Sequence, residues 1–151
     1  MTITKGALAP DFTLPADDGS KYCLSKAVTD LTLLVFYPGD NTPVCTAQLC
    51  DYRDGIESFR GIGVDVVGIS KNSPPTHVQF KEKYSLPFTL LSDTDFSVAR
   101  QYDCKGVLGM KRGVFLVDSG RLVRYAHIEA VSLFRRKRAE LIDVIEETRN
   151  A

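Results

Sequence analysis

The stretch LTLLVFYPGDNTPVCTAQLC, residues 31–50, holds two elements and the join between them. Residues 31–37 form an apolar run rich in Leu, Val and Phe, too short for a helix, and read as a strand buried on both faces. A turn follows from Pro38, and Thr42-Pro43 has the chemistry of a helix start, with Thr at the N-cap and Pro at the first helical position. A buried strand that passes through a short turn into a helix is the unit from which parallel sheets are assembled.

The same alternation continues outward. Residues 64–70, 88–92 and 113–118 are further apolar runs, and a fifth strand is expected over 122–127. Asp118-Ser119-Gly120-Arg121 precedes it as a hairpin turn in which Gly120 is expected to supply the positive φ. Helical spacing of apolar residues predicts helices over 43–60 (Leu49, Ile56, Phe59), 75–84 (Val78, Phe80, Tyr84), 95–102 (Phe96, Val98, Tyr102) and 132–148 (Phe134, Leu141, Ile142, Ile145). Near the start, Phe12-Thr13-Leu14 and Tyr22-Cys23-Leu24 flank Asp17-Asp18-Gly19-Ser20 as a small hairpin. The order predicts an α/β sandwich with a mainly parallel sheet centre and antiparallel strands from the closing hairpin, in one domain over 1–151.

Nineteen basic and nineteen acidic residues give zero net charge, which argues against a dedicated nucleic-acid binder. The basic run Arg135-Arg136-Lys137-Arg138 is followed on the same helix by Glu140, Asp143, Glu146 and Glu147, and reads as a solvated face. No apolar run approaches the roughly 20 residues of a membrane span. Residues 1–10 contain no export signal, so a cytoplasmic setting is expected. There, four cysteines point to a redox or metal site rather than a disulfide framework. Their gaps match no common zinc pattern; His77 reads as a surface residue and His127 as exposed or half-buried.

Cys45 falls at the third helical position. The unpaired amides and the positive end of the helix dipole favour an anion there, so the thiolate is stabilised over the thiol, and Thr42 comes within hydrogen-bonding reach. Position alone leaves two readings open, an activated nucleophile or a small buried core residue.

Pro38-x-x-x-Thr42-x-x-Cys45 resembles the peroxiredoxin active-site signature, and Cys50 five residues later is similar to the bacterioferritin-comigratory-protein or PrxQ subfamily. Residues 9–14 (APDFTL), 67–70 (VGIS), 88–93 (FTLLSD) and 112–118 (RGVFLVD) carry the likeness along most of the chain. The resemblance implies a thioredoxin-like fold, with a mixed central sheet flanked by helices and an N-terminal β-hairpin. It also implies a peroxidase without metal or cofactor, reducing hydrogen peroxide and organic hydroperoxides. Cys45 would be the peroxidatic cysteine, oxidised to a sulfenic acid. Thr42 would hydrogen-bond at the sulfur and the attacked oxygen, Pro38 would shield the site from water, and Arg112 would hold the peroxide and stabilise the shifting charge. Gln48, one turn past Cys45, would orient that arginine.

Cys50 would resolve the sulfenic acid as an intramolecular disulfide, recycled by thioredoxin or a glutaredoxin, in a monomer. Helix geometry constrains this step. Five residues along an α-helix the Cα atoms lie roughly 8.7 Å apart, whereas a disulfide needs them within about 6.8 Å. The segment from Pro43 to Cys50 is therefore expected to unwind on oxidation. Cys104, in the loop leading to Arg112, reads as structural or as a back-up thiol near the site, and Cys23 as inert packing. Two rival classes stand beside the peroxidase. A thiol–disulfide exchanger is disfavoured because there is no Cys-x-x-Cys. A redox-switched chaperone or sensor protein without significant turnover is the alternative.

Overall fold

Along the chain the computed structural model places β1 (Thr13–Pro15), β2 (Lys21–Cys23), α1 (Leu24–Ala27), β3 (Leu31–Phe36), α2 (Pro43–Asp54), α3 (Ile56–Gly61), β4 (Val64–Ser70) and α4 (Pro74–Tyr84). There follow β5 (Thr89–Ser92), α5 (Ser97–Gln101), β6 (Lys105–Gly106), β7 (Gly109–Met110), β8 (Gly113–Val117), β9 (Val123–Ile128) and α6 (Arg138–Asn150). The structure describes residues 3–28, 30–107, 109–129 and 136–150.

All six residues of β3 are buried, and β3 is the centre of a five-stranded sheet in the order β5-β4-β3-β8-β9. It runs parallel to β4 and antiparallel to β8, while β5 extends the parallel side and β9 the antiparallel side. Because strand side chains alternate, β3 feeds two cores. Leu31, Leu33 and Val35, continued by Tyr37, meet Leu49 and Tyr52 of α2, Phe59 of α3, Phe80 of α4 and Leu141 and Ile145 of α6. Leu34 and Phe36 meet Phe12, Leu14, Leu24, Val98 and Tyr102 on the opposite face. Each large aliphatic or aromatic side chain so buried contributes about 1.5–3 kcal/mol, which makes the sheet a rigid platform for whatever sits at the end of β3. With the antiparallel β1–β2 pair at the N-terminus, this is the thioredoxin-like arrangement expected. Among the described residues no helix is long and apolar enough to cross a membrane.

Several local expectations are corrected. The helix expected over 43–60 is two helices, because Gly55 takes φ −101° and ψ 10° and ends α2. A Cβ at Gly55 would lie 2.7 Å from Arg138 Cδ, so the arginine at the start of α6 packs close over this residue. The turn after β8 places its positive φ at Arg121 (63°), not at Gly120. Asp118 Oδ1 accepts from the amides of both Gly120 and Leu122 and wraps the turn around itself, which leaves the left-handed residue at the fourth position. The helix expected over 95–102 is shortened to Ser97–Gln101 because the buried carboxylate of Asp93 takes the amides of Val98 and Ala99 and sets its start. Leu24 opens α1 rather than belonging to the hairpin, although its amide still donates to the Phe12 carbonyl at 3.0 Å. The helix expected from residue 132 begins at Arg138 in the described part of the chain, and Phe134 lies outside the described residues. Of the basic run, Arg136 pairs with Glu140 at 2.7 Å and Arg138 with Asp51 at 3.4 Å, so these charges are matched within the fold.

Gly68 of β4 lets the Tyr37 ring lie close over the strand: a Cβ there would be 2.8 Å from Leu90 Cδ2 and 3.1 Å from Tyr37 Cε1. Gly68→Ala is expected to lower stability by about 1–3 kcal/mol through overpacking, read as a reduced urea midpoint with an unchanged slope.

Candidate functional site

The site is built where β3 ends. Thr42 is extended (φ −78°, ψ 147°), and its carbonyl accepts the first helical bond of α2 from the Thr46 amide at 2.8 Å. Cys45 therefore stands at the third position of the first turn, as the sequence predicts, and is fully buried. The Thr42 hydroxyl does not cap the helix. It donates instead to the Gly39 carbonyl at 3.1 Å, inside a tight turn in which Asn41 takes φ 64°. Pro38, half-buried, opens that turn.

Arg112 reaches the same place from the other side of β3. It immediately precedes β8, whose Gly113 is paired with Phe36, so the register brings the arginine to the end of β3 from which the Cys45 turn departs. Its Nη2 donates to Cys45 Sγ at 3.2 Å and its Nη1 to Gln48 Oε1 at 2.5 Å. The orienting contact expected of Gln48 is thus present. The chain of bonds runs on: Gln48 Nε2 donates to the Tyr52 hydroxyl at 3.1 Å, and that hydroxyl donates to the Arg136 carbonyl at 2.5 Å. Because Arg112 can only donate, Gln48 must turn its oxygen toward it and its amide nitrogen toward Tyr52. Tyr52 went unnoticed in the sequence, although its position four residues after Gln48 places both on one helix face.

Arg112 is 2% exposed and Cys45 0%. A guanidinium stays charged in proteins, and a charge removed from water is tolerated where an opposite charge or full hydrogen bonding meets it. The sulfur at 3.2 Å is an atom at which that opposite charge can form. A sulfur held this way has a lone pair for attack and a positive fork beside it at the start of a helix, an arrangement suited to attack on an O–O bond.

The other cysteines are placed differently. Cys50 is half-buried on the same unbroken helix, and both it and Cys45 are free thiols. Cys104 packs beside Gly113, the residue after Arg112, but in the core on the opposite face of the sheet from Cys45, and burial pushes its thiol up to about 12. Cys23 is half-buried rather than packed away; its thiol lies 3.4 Å from the Ser25 hydroxyl, which lowers its pKa. His77, expected at the surface, is wholly buried against Asp40, and His127 is half-buried. Among the described residues no three His, Cys, Asp or Glu side chains gather in a way that would hold a metal ion.

The chain is similar to known proteins along most of its length. The AhpC/TSA family pattern matches residues 6–126. Peroxiredoxin Bcp of Bacillus subtilis (strain 168) is 40% identical over 133 residues, covering 82% of this chain and 85% of that one. The chloroplastic peroxiredoxin Q of Oryza sativa subsp. japonica is 40% identical over 129 residues, covering 83% of this chain but 59% of its own length. The crystal structure of peroxidoxin BcpB from Mycobacterium tuberculosis matches with a TM-score of 0.85 at 30% identity, over 98% of this chain and 97% of that one. The chain belongs to the AhpC/TSA family and, within it, to the Bcp/PrxQ peroxiredoxins, which are thiol-dependent peroxidases.

Proposed function

We propose that Cys45 is the sulfur that attacks the peroxide and Cys50 the one that resolves it. The observation that carries this reading is the buried contact of Arg112 Nη2 with Cys45 Sγ at 3.2 Å, with the other arm of the fork fixed on Gln48. Thiolate sulfur attacks one oxygen of hydrogen peroxide or of an organic hydroperoxide. An S–O bond forms and the O–O bond breaks. The departing oxygen takes a proton and leaves as water or an alcohol, and Cys45 is left as a sulfenic acid. Arg112 stabilises the charge as it moves onto the departing oxygen. Thr42, its own proton engaged at Gly39, offers its oxygen as an acceptor for the peroxide's proton, and Pro38 shields the approach from water.

In the second step the Cys50 thiol attacks the sulfenic sulfur, the S–S bond forms, and water leaves. The intact α2 holds the two sulfurs apart, so the first turns of α2 unwind for this step. Pro43 opens α2 and Thr42 gives it no side-chain cap, so the first turn has little stabilisation of its own as a helix end. The far end is tied down, since the Arg138 amide donates to Asp51 Oδ2 at 3.0 Å and the Tyr52 hydroxyl is bonded to the Arg136 carbonyl. A dithiol of thioredoxin or a glutaredoxin then exchanges with the disulfide, restoring both cysteines and becoming oxidised itself. Pairing within one chain supports a monomer, and recycling by a dithiol reductant fits a cytoplasmic setting.

Mapping the joined sulfurs by mass spectrometry after one equivalent of peroxide is expected to yield Cys45–Cys50, with Cys104 and Cys23 still thiols, together with a loss of helical circular dichroism. A Cys45–Cys104 bridge, or an unchanged helix signal in the Cys45–Cys50 form, would reject the resolving step. Cys45→Ser is expected to reduce turnover to the uncatalysed rate with the fold retained. Arg112→Lys, which keeps a charge but loses the fork, is expected to lower kcat/KM for peroxide by roughly a hundredfold. Turnover unchanged in either variant counts against the site.

A further inference from the structure

Tyr37, Asp40 and His77 form a buried polar cluster that the chemistry above does not use. Asp40 Oδ1 accepts the Tyr37 hydroxyl at 2.7 Å, Asp40 Oδ2 meets His77 Nδ1 at 2.7 Å, and His77 Nε2 meets the Leu91 carbonyl at 2.9 Å. The side chains of Asp40 and His77 are entirely buried. A carbonyl can only accept, so His77 Nε2 carries a hydrogen and Nδ1 is turned to the carboxyl group. One proton therefore lies between Nδ1 and Oδ2, and the pair is neutral overall whichever atom holds it. Burial and the adjacent Asp40 keep the Tyr37 phenol protonated well above its ordinary range, so it remains a donor to the carboxyl.

What this cluster holds is the turn before Cys45. The Asp40 amide donates to Asn72 Oδ1 at 2.8 Å, and Asn72 Oδ1 also accepts the Ser70 hydroxyl at 3.1 Å. One residue of the turn is thus tied to the end of β4 through Ser70, to α4 through His77 and to β5 through Leu91. The next residue, Asn41, has φ 64°, the left-handed conformation that Asn adopts more readily than other side-chain-bearing residues. Thr42 follows, carrying the first bond of α2, and Cys45 lies three residues further on.

We propose that Asp40 and His77 are positioning residues for the peroxide step: a proton-sharing pair that clamps the turn at 38–42 and so holds the first turn of α2, with Cys45, against the guanidinium of Arg112. The inference rests on Cys45 being the attacking sulfur. Removing either partner leaves the other buried without its match, and the turn loses its fixed point. Asp40→Asn has a different consequence. The amide nitrogen donates to Nδ1 of a neutral His77, and the amide oxygen accepts from Tyr37, so every bond is kept while the shared proton is gone.

The test compares Asp40→Ala, His77→Ala, Asp40→Asn, Asn72→Ala and Cys45→Ser with the parent chain, well below each melting temperature. Stopped-flow gives peroxide consumption, and the reduction of preformed disulfide by thioredoxin is followed separately. A side chain that only stabilises the fold moves the melting point and leaves both rates alone. The expected result is a loss of roughly ten- to hundredfold in kcat/KM for peroxide in the two alanine variants, with disulfide reduction unchanged. Asp40→Asn is expected to recover most of that loss. Asn72→Ala, which frees the turn amide and the Ser70 hydroxyl but leaves the Asp40–His77 pair in place, is expected to lose less in the same direction, and it decides the matter if the buried variants do not fold. Parental peroxide rates in folded Asp40→Ala and His77→Ala, or in Asn72→Ala where those fail to fold, overturn the proposal, as does an Asp40→Asn no better than Asp40→Ala. Turnover surviving in Cys45→Ser overturns the reading of Cys45 instead.

Discussion

A permanently charged guanidinium sealed away from water at 2% exposure is the constraint around which this fold is arranged. It is tolerated because its donors are met, by Gln48 on one arm and the Cys45 sulfur on the other. That match depends on elements far apart in the chain. The antiparallel pairing of β3 with β8 brings residue 112 to the end of β3, and the turn leaving that strand brings the start of α2 to the same point. The apolar sheet beneath fixes the separation between them, so the geometry at the sulfur is a property of the whole platform.

Much of this was legible in the sequence because the informative residues are buried on both faces and have little freedom of composition. β4 falls on the residues read as a strand, and β3, β5, β8 and β9 fall within one residue of their readings at each end. Cys45, Gln48 and Arg112 meet as the family signature implies. What sequence pattern did not reveal depends on contacts between distant segments. Helical periodicity runs straight through Gly55, whose φ of −101° and ψ of 10° end α2 in the structure. Gly120 has the chemistry of a turn glycine, yet the carboxylate of Asp118 moves the unusual angle to Arg121. His77 follows two prolines and a threonine, a polar start that suggests solvent, and it is the carboxyl group of Asp40, 37 residues away, that takes it inside.

The four cysteines differ through their surroundings alone. One faces a cation at a helix start, one rides the same helix half-exposed, one borrows a hydrogen bond from a serine at the edge of the N-terminal strand pair, and one is sunk in hydrocarbon on the far side of the sheet. For Cys104, burial, reinforced by the nearby Asp103 charge and only partly offset by Lys111, favours the neutral thiol so strongly that it is a poor nucleophile at physiological acidity. A thiol count therefore says little about redox capacity in this chain, and the polar groups around each sulfur say most of it.

The separation of 67 residues between Cys45 and Arg112 has a consequence for the timing of synthesis. While the chain is being made, residue 45 is synthesised well before residue 112, and until the sheet has closed the sulfur has no guanidinium beside it. The contact between the two is therefore a product of the folded sheet, and a nascent or misassembled copy does not hold it.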